Sequence, residues 1–221
     1  MTKRKAKPAP IDANVKTRAR LLEAALELFS ERGFDDVTVR QISNAADANL
    51  AAVSYHFGDK LGLYEAVVRD AIQDMRKVSD LSMDTGPASS PQERLRHYVR
   101  VYLPRIAKPK GRAARIQKLV KHEMSRLTPL GPQIADEVIM PRVRYMTALM
   151  AELLGCDEDD RRVGRCVVSL QAQCMFYMRD PMRAKVFPDW PPQSDAELRA
   201  AADHVAAFSL AGIAAIKRKT R

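Results

Sequence analysis

Apolar side chains recur every three or four residues along most of this chain, which is the spacing of amphipathic helices. The pattern predicts long helices over residues 16–32, 61–79, 92–106, 112–127, 133–154, 158–179 and 195–217. Two prolines interrupt them: we expect Pro104 to bend or end the third helix and Pro141 to kink the fifth. The sequence therefore predicts an all-α protein.

Residues 38–60 have a different pattern, that of two short helices joined by a turn. Thr38 is placed to cap the first helix, and Gln41, three positions further on, can complete a capping box. Asn49 is a suitable N-cap for the second helix, which we expect to run from residue 50 to residue 57. Each short helix thus has its own start signal.

The ends of these helices are also encoded. Asp47 interrupts the apolar spacing, and aspartate tolerates turn conformations that most residues avoid. Gly58 can end the second helix, and Asp59 can cap the helix that follows. Two helices of about two turns joined by a short turn form a helix-turn-helix unit, whose second helix enters the major groove of DNA.

The second short helix does not have the composition of a core helix. Val53 and Phe57 can anchor it, whereas Ala51, Ala52 and Ser54 are small enough for the backbone to approach base edges closely. The alternative is a small solvated helix of the kind that any helical protein can carry. The pattern alone leaves both interpretations open.

Residues 17–63 resemble the N-terminal domain of the TetR family of bacterial transcription repressors. The resemblance rests on Thr17, Leu21, Ala24, Ala25, Leu28, Phe29, Gly33, Phe34, Thr38, Val39, Ile42, Ala46, Tyr55, His56, Phe57, Lys60 and Leu63. One position departs from the family, which usually has glycine in the turn where this chain has Asp47. Residues 121–179 are similar to the subgroup that includes the cephalosporin- and chloramphenicol-response regulator.

The resemblance implies a homodimeric repressor that binds a palindromic double-stranded DNA operator and is released by a small apolar or aromatic molecule. It implies phosphate contacts from Thr38, Tyr55, His56 and Lys60, and base contacts from Asn49, Leu50, Ala51 and Ser54. Leucine and alanine can meet a thymine methyl group, and asparagine can pair with adenine.

The effector would enter among the helices after residue 91. The candidates for its lining are Tyr98, Tyr102, Met124, Tyr145, Gln171 and Met175, which combine ring faces, flexible sulfur and a polar group. Ordinary core packing is the alternative for each of them.

Three divisions of the chain follow. Residues 1–14 are basic, nearly without apolar side chains, and are expected to be disordered. Their cations could follow the DNA backbone or serve only as a solubilising tail. Residues 15–60 form the helix-turn-helix domain, and residues 61–221 form a linking helix and the ligand-binding and dimerisation domain, with a loop over 80–91.

The last two predicted helices bear on assembly. Residues 158–179 are apolar on most sides, and residues 195–217 are rich in alanine, which lets helices pack closely. Two such helices per subunit can pair with their copies as a four-helix bundle. The alternative is that they form the core of a monomer.

Composition narrows the function classes. A net charge of +10 favours an anionic partner, either nucleic acid or a membrane surface. No apolar run approaches the ~20 residues that cross a bilayer, so we expect no membrane role. Three cysteines without a secretion signal indicate the cytoplasm, with Cys166 and Cys174 as buried thiols.

The sequence lacks the glycine-rich and nucleophile motifs of nucleotide-binding and acyl-transfer enzymes, and it implies no cofactor or metal. An all-helical enzyme with a carboxylate site in the C-terminal half is the rival hypothesis. It would explain the Met- and Tyr-rich interior but would leave residues 38–60 without a role.

Overall fold

A computed structural model describes residues 10–86, 89–126, 128–187, 192 and 194–218. Within these residues every regular element is a helix, which confirms the predicted all-α class. The chain forms two compact units. The first contains the described residues up to Ala71 together with Gly111–Gly131, and the second contains Ile72–Lys110 and the rest from Pro132 onward.

The helices follow one another with short connections. They are α1 (Pro10–Arg32), α2 (Val39–Ala45), α3 (Leu50–Phe57), α4 (Lys60–Met83), α5 (Pro91–Ala107), α6 (Arg112–Ser125), α7 (Gly131–Ile134), α8 (Met140–Leu154), α9 (Arg161–Phe176), α10 (Pro181–Val186) and α11 (Asp195–Arg218). A π-helical turn, Ala135–Ile139, joins α7 to α8. The short α10 is the helix that the apolar spacing did not predict.

Two boundaries differ from the prediction by four residues or more. Helix α1 begins at Pro10, so residues 10–14 are helical and not part of a disordered arm, while residues 1–9 lie outside the described residues. Proline suits the first turn of a helix because its missing N–H would have no partner there. Helix α4 continues to Met83, into the stretch predicted as a loop.

The helix type changes immediately before Pro141, where the sequence predicted a kink. A proline ring clashes with the carbonyl four residues earlier in a regular α-helix. The chain adopts the wider π-helical turn Ala135–Ile139 immediately before Pro141 and then resumes as α8. Pro104 lies within α5, which continues to Ala107, so it does not end that helix.

The first unit has a core built mainly from α1 and the helices that follow it. Its fully buried apolar side chains include Leu21, Ala25, Phe29, Ile42, Val53, Leu63 and Tyr64. Helix α6 packs against α1 and adds Ile116 and Leu119 to the buried set. The packing therefore places α6 in the same unit as the helix-turn-helix, although it lies far along the chain.

Charged side chains reinforce the contact between α6 and α1. The Arg112 guanidinium lies 2.8 Å from a Glu23 oxygen and 2.6 Å from an Asp70 oxygen. Arg115 pairs with Glu23 and also lies 3.6 Å from Glu27. Pairs this exposed contribute only about 0–1 kcal/mol each, but here they share partners in one network.

A buried polar pair joins α4 to α6 beneath this network. The Tyr64 hydroxyl donates to the Glu123 carboxylate, and both side chains are almost fully buried. The other Glu123 oxygen accepts from the backbone N–H and the hydroxyl of Thr128, at 3.2 and 3.0 Å. Burial, together with Glu123, raises the pKa of Tyr64 far above its usual value, so the phenol remains a donor.

The second unit has its core between α5, α8, α9 and α11. The buried residues shared by these helices include Leu95, Tyr98, Leu103, Met146, Met150, Leu170, Ala202 and Val205. Cys166 and Cys174 are buried in this core, as predicted. Burial raises the pKa of Cys174 to about 12, so this thiol is not reactive at neutral pH.

Helices α9 and α11 carry apolar residues on their outward side as well as on the side that faces the core. Their outer face, the name used below for the surface formed by Gly164, Val168, Ala172, Met175, Phe208, Ala211 and Gly212, is exposed. Val168 is 68% exposed and Phe208 63% exposed. A methyl group added at Gly164 or Gly212 would meet no atom within 4 Å, so this surface is open at both glycines.

By length and composition α11 could also cross a membrane, the one such helix among the described residues. Only 28% of its most apolar 18-residue window is buried inside the chain. Its inner side packs against α5, α8 and α9, as in the core of a globular unit. Its apolar character is therefore divided between a covered inner side and an uncovered outer face.

Candidate nucleic-acid interface

The two short helices of residues 38–60 form as the capping residues predict. Thr38 accepts a hydrogen bond from the Gln41 backbone N–H at 3.3 Å, and Gln41 Oε1 accepts from the Thr38 N–H at 2.8 Å. Asn49 Oδ1 accepts from the Ala51 N–H at 3.1 Å. Helix α3 starts and ends where predicted because both its ends carry specific capping residues.

The turn between α2 and α3 has an unusual backbone. Asp47 adopts a left-handed conformation with φ of 47°, in a place where the resembling family usually has glycine. It is the one non-glycine residue with positive φ among those described. Its exposed carboxylate lies 3.7 Å from Arg20 of α1. The turn therefore keeps the expected shape at a modest conformational cost.

The end of α3 is fixed by two glycines. Gly58 has φ of 82°, and its N–H donates to the Ser54 carbonyl, which terminates the helix. Gly62, in the first turn of α4, approaches α3 closely: an added Cβ would lie 2.1 Å from the Phe57 carbonyl oxygen. Asp59 caps α4 by accepting from the Gly62 N–H at 2.8 Å. The angle between α3 and α4 thus depends on the absence of a side chain at Gly62.

Helix α3 buries one side and exposes the other. Val53 is its buried anchor, and Phe57 is half-buried. Leu50 is 52% exposed and Tyr55 75% exposed, large values for such apolar groups. Asn49, Ala51 and Ser54 are exposed beside them. All four predicted base contacts therefore lie on the solvent side.

A shallow groove, open to solvent over most of its surface, lies between α3 and the first turns of α1. Its volume is about 460 Å³, and its lining comprises Ala13, Asn14, Thr17, Asn49, Ala51, Ala52, Tyr55 and His56. Three of the eight lining residues belong to α1 and were not among the predicted contacts. Periodicity could not show that the start of α1 lies beside α3.

The predicted phosphate contacts have different surroundings. Tyr55 is open, and His56 is half-buried with its ring 5.1 Å from that of Tyr55. Thr38 is exposed at the start of α2, where it already acts as a cap. Lys60 is half-buried: its ammonium lies 4.4 Å from the Phe34 ring centre and donates to the Asp35 carbonyl at 3.3 Å. Lys60 therefore also holds the α1–α2 connection.

Three of the predicted effector contacts form a stack of tyrosines in the second unit. The Tyr98 ring lies 5.3 Å from that of Tyr102 and 6.3 Å from that of Tyr145. Gln171 donates to the Tyr98 hydroxyl at 2.9 Å. The guanidinium of Arg142, a residue not among the predicted contacts, lies 5.0 Å from the Tyr102 ring centre. Tyr98 and Tyr102 are buried, so their surroundings in the stack are occupied by the protein's own side chains.

The two predicted methionines are placed differently. Met124 lies on α6 in the first unit and is 65% exposed. Met175 lies on the exposed outer face of α9. The structure therefore groups Tyr98, Tyr102, Tyr145 and Gln171 but does not bury either methionine with them.

No group of three or more His, Cys, Asp or Glu side chains among the described residues could hold a metal ion. The exposed side of α3 itself offers the polar groups of Asn49 and Ser54 and the apolar side chains of Leu50 and Ala51. Such a surface suits the edges of bases and the phosphates of DNA.

Comparison with protein families supports this interpretation along most of the chain. Residues 21–67 match the family of bacterial regulatory proteins of the tetR type. Residues 91–213 match the C-terminal domain of the HTH-type transcriptional dual regulator CecR. The second match covers more than half of the chain.

Individual proteins agree. The chain is 35% identical over 81 residues to the probable HTH-type transcriptional regulator YttP of Bacillus subtilis; the match covers 37% of this chain and 39% of YttP. A TetR-family regulator of Streptomyces coelicolor has a similar fold, with a TM-score of 0.62 and 18% identity over 90% of this chain and 96% of that chain. The ketosteroid transcriptional regulator KstR2 of Mycobacterium tuberculosis has a TM-score of 0.59 and 18% identity, over 88% and 93% of the two chains.

The fold and the exposed α3 define a helix-turn-helix DNA-binding regulator of transcription, and not an enzyme. The chain belongs to the TetR family, with a C-terminal half of the CecR type. The aligned part spans about two fifths of the length of YttP.

Proposed function

We propose that the protein is a cytoplasmic homodimeric repressor that binds a palindromic operator and is released by a small apolar or aromatic effector. The observation that carries the proposal is the exposed side of α3, with Leu50, Ala51 and Tyr55 uncovered between two well-capped ends. Large apolar side chains on a short exposed helix need a partner, and the major groove accepts a helix of this width.

On the operator, α3 lies in the major groove. Leu50 and Ala51 meet thymine methyl groups, and Ser54 hydrogen-bonds a base edge. Asn49 pairs with adenine through its amide while the same side chain caps α3. Thr38, Tyr55, His56 and Lys60 contact phosphates and hold the register, since backbone contacts position a reader without specifying sequence.

The outer face of α9 and α11 supports the homodimer. Its apolar surface is uncovered in the single chain, and its small residues allow close helix packing. Two such helices from each subunit form a four-helix bundle. The two copies of α3 in this two-fold dimer then match half-sites about 34–36 Å apart.

The tyrosine stack supports an aromatic or apolar effector. Burial raises the pKa of Tyr98 well above its usual value, so its hydroxyl stays protonated. That hydroxyl accepts from Gln171 and keeps its own hydrogen for an acceptor atom on the effector. A flat molecule with one acceptor could replace ring–ring contacts in the stack and be oriented by Tyr98.

Release requires that the effector prefer the conformation that does not bind DNA. Helix α4 is suited to the coupling because its first residues belong to the first unit and its last to the second. A change in the tilt of α4 would alter the distance between the two copies of α3, so that they no longer match the half-site spacing. A coupling of about 1–3 kcal/mol would lower operator affinity by roughly 5- to 150-fold.

The DNA-binding part is tested by retention of genomic fragments. The purified protein is mixed with a fragmented pool of its own genome at moderate salt, and retained fragments are sequenced. We expect a small set of fragments that share a palindrome. Uniform retention, or none, contradicts sequence-specific binding and favours the all-helical enzyme or binding protein as the alternative.

The effector part is tested by reciprocity. Aromatic and antibiotic-like compounds are screened by thermal shift, and each hit is titrated with and without operator DNA. Operator should weaken effector binding by the same factor by which effector weakens operator binding. A hit whose affinity is equal in both titrations binds without releasing the repressor.

A further inference from the structure

We propose that Arg18 and Asn14 of α1 form a second phosphate-binding wall of the DNA interface, opposite Tyr55 and His56. The inference rests on the proposed placement of α3 in the major groove. It adds a contact surface from a helix for which the sequence predicted no DNA contact.

The groove beside α3 provides the geometry. Asn14 and Thr17 line one side of it, and Tyr55 and His56 line the other. Asn14 and Tyr55 are exposed, while Thr17 and His56 are half-buried, so the groove opens to solvent on the same side of the unit as the exposed part of α3. A DNA backbone that flanks the major groove beside α3 would therefore run along this opening.

Arg18 follows Thr17, a lining residue of the groove, and lies beside the last residue of α3. Its guanidinium is 5.2 Å from the ring centre of Phe57, the last residue of α3, and the side chain is exposed. A guanidinium held beside a ring by a cation–π contact keeps N–H groups that are able to donate. A planar fork of donors held in this way suits the two oxygens of a phosphate.

The neighbouring α1 side chains are less suitable. The Thr17 hydroxyl donates to the Ala13 carbonyl at 2.9 Å, so Thr17 forms the wall without offering a hydrogen. The Arg20 guanidinium lies 3.7 Å from the Asp47 carboxylate, which offsets its charge. Asn14, one turn before Arg18, has an exposed amide that can donate to the adjacent phosphate.

The occupant that fits is a DNA phosphodiester and not a protein carboxylate. The groove is continuous with α3, because Asn49, Ala51 and Ala52 line it together with Asn14. A strand that contacts the exposed side of α3 passes the α1 wall without a change of direction. The expected role is positioning, and it should be independent of base sequence.

The test compares Arg18→Met with Lys16→Met. Methionine keeps an unbranched apolar stem against Phe57 and removes the charge. Lys16 is an exposed cation on the same helix, two residues earlier and so turned by about 200°. Affinities for a selected operator fragment and for a random-sequence duplex are measured between about 50 and 200 mM salt.

Arg18→Met should lower the slope of log affinity against log salt by about 0.9, the value for one phosphate contact, on both duplexes. Lys16→Met should leave the slope unchanged. An unchanged slope for Arg18→Met, or a change in operator preference, overturns the assignment. If wild-type protein bound neither duplex, the proposed function itself would fail.

Asn14→Asp provides a second variant that leaves the Arg18–Phe57 contact in place. Aspartate has the same shape and is well tolerated near a helix N-terminus, so folding should be unaffected. The added negative charge should weaken both duplexes alike by repelling the phosphate. Wild-type affinity for Asn14→Asp would show that the backbone does not follow the groove, and it would decide the question if Arg18→Met proved unstable.

Discussion

Helix α3 and the helix pair α9–α11 both expose apolar side chains, but the residues around those side chains differ. On α3, Leu50 and Tyr55 stand among Asn49, Ser54 and the nearby cation Arg18. The outer face of α9 and α11 offers instead valine, phenylalanine, alanine and two open glycines, with charged groups at its margins. The first surface combines apolar, hydrogen-bonding and cationic groups, which suit the bases and phosphates of DNA, whereas the second is suited mainly to close apolar packing.

The difference lies in which partner each surface can cover. Contact with DNA requires donors and cations, since much of the free energy of binding comes from phosphates. Contact with a second copy of the same chain requires apolar area and a self-complementary shape, since a two-fold interface pairs the same surface of both subunits. One residue type placed on each face should therefore produce two distinct defects.

The largest effect is expected from Gly212→Glu. On the proposed bundle this change buries an unpaired carboxylate, a burden of about 3–5 kcal/mol in comparable cases. Light scattering should report a monomer, and operator affinity should collapse although residues 38–60 are untouched. Ala214→Glu is the matched control, because Ala214 is exposed two residues further on and about 200° around α11.

A Gly212→Glu protein that stays dimeric and still binds operator would contradict the proposed bundle. Loss of dimer in Ala214→Glu alone would move the interface to the other side of α11. Either result would remove the stated difference between the two exposed surfaces.

Ala51→Glu should produce the complementary defect. The carboxylate would face the DNA, where like charges brought together cost several kcal/mol. Operator affinity should fall by at least about a hundredfold while light scattering still reports a dimer. Ala45→Glu, at an exposed position on α2 outside the proposed contacts, adds the same charge and serves as the control for the change in net charge. Unchanged operator affinity in Ala51→Glu would exclude α3 as the reading helix.

Lys60→Ala should have a smaller effect that is equal for all DNA sequences. The loss of one phosphate contact should flatten the salt dependence of binding by about one unit of slope. Because Lys60 also donates to the Asp35 carbonyl, a thermal melt must accompany the titration. A change in the preferred operator would mean that Lys60 reads bases and does not only position the protein.

The smallest effect is expected from Asp47→Gly. Glycine adopts the positive φ of this turn without strain, so unfolding should require about 0.5–1 kcal/mol more. The lost contact with Arg20 is exposed and should subtract little. Chemical denaturation measures the difference, and an Asp47→Ala variant, which cannot relieve the strain, is the control. A destabilised Asp47→Gly would show that the aspartate contributes more than its backbone costs.

The sequence predicted the helix-turn-helix well because its signals are local. Thr38, Gln41 and Asn49 act within three residues of themselves, so the bounds of α3 could be stated without knowledge of the rest of the fold. The close approach at Gly62 was missed, although it is equally short in range. A glycine near the start of a helix gives no sign of which carbonyl lies above it.

The surroundings of α6 could not be predicted in this way. Its apolar spacing showed that Ile116 and Leu119 face a core but not which core. The pairing of Arg112 with Glu23 joins residues far apart in the chain, and many other pairs of opposite charge were available. Met124 was grouped with the tyrosines for the same reason, since its place depends on where α6 packs.

The membership of α6 in the first unit has a consequence for building hybrid regulators. By sequence, α6 falls inside the C-terminal family segment, so an exchange of sensor halves at the α4–α5 connection would bring in a foreign α6. In the hybrid, Glu23, Glu27 and Tyr64 of the first unit would face a foreign helix that need not carry their partners on α6. A graft that keeps residues 111–131 with the first unit, and splices on either side of them, preserves those partners.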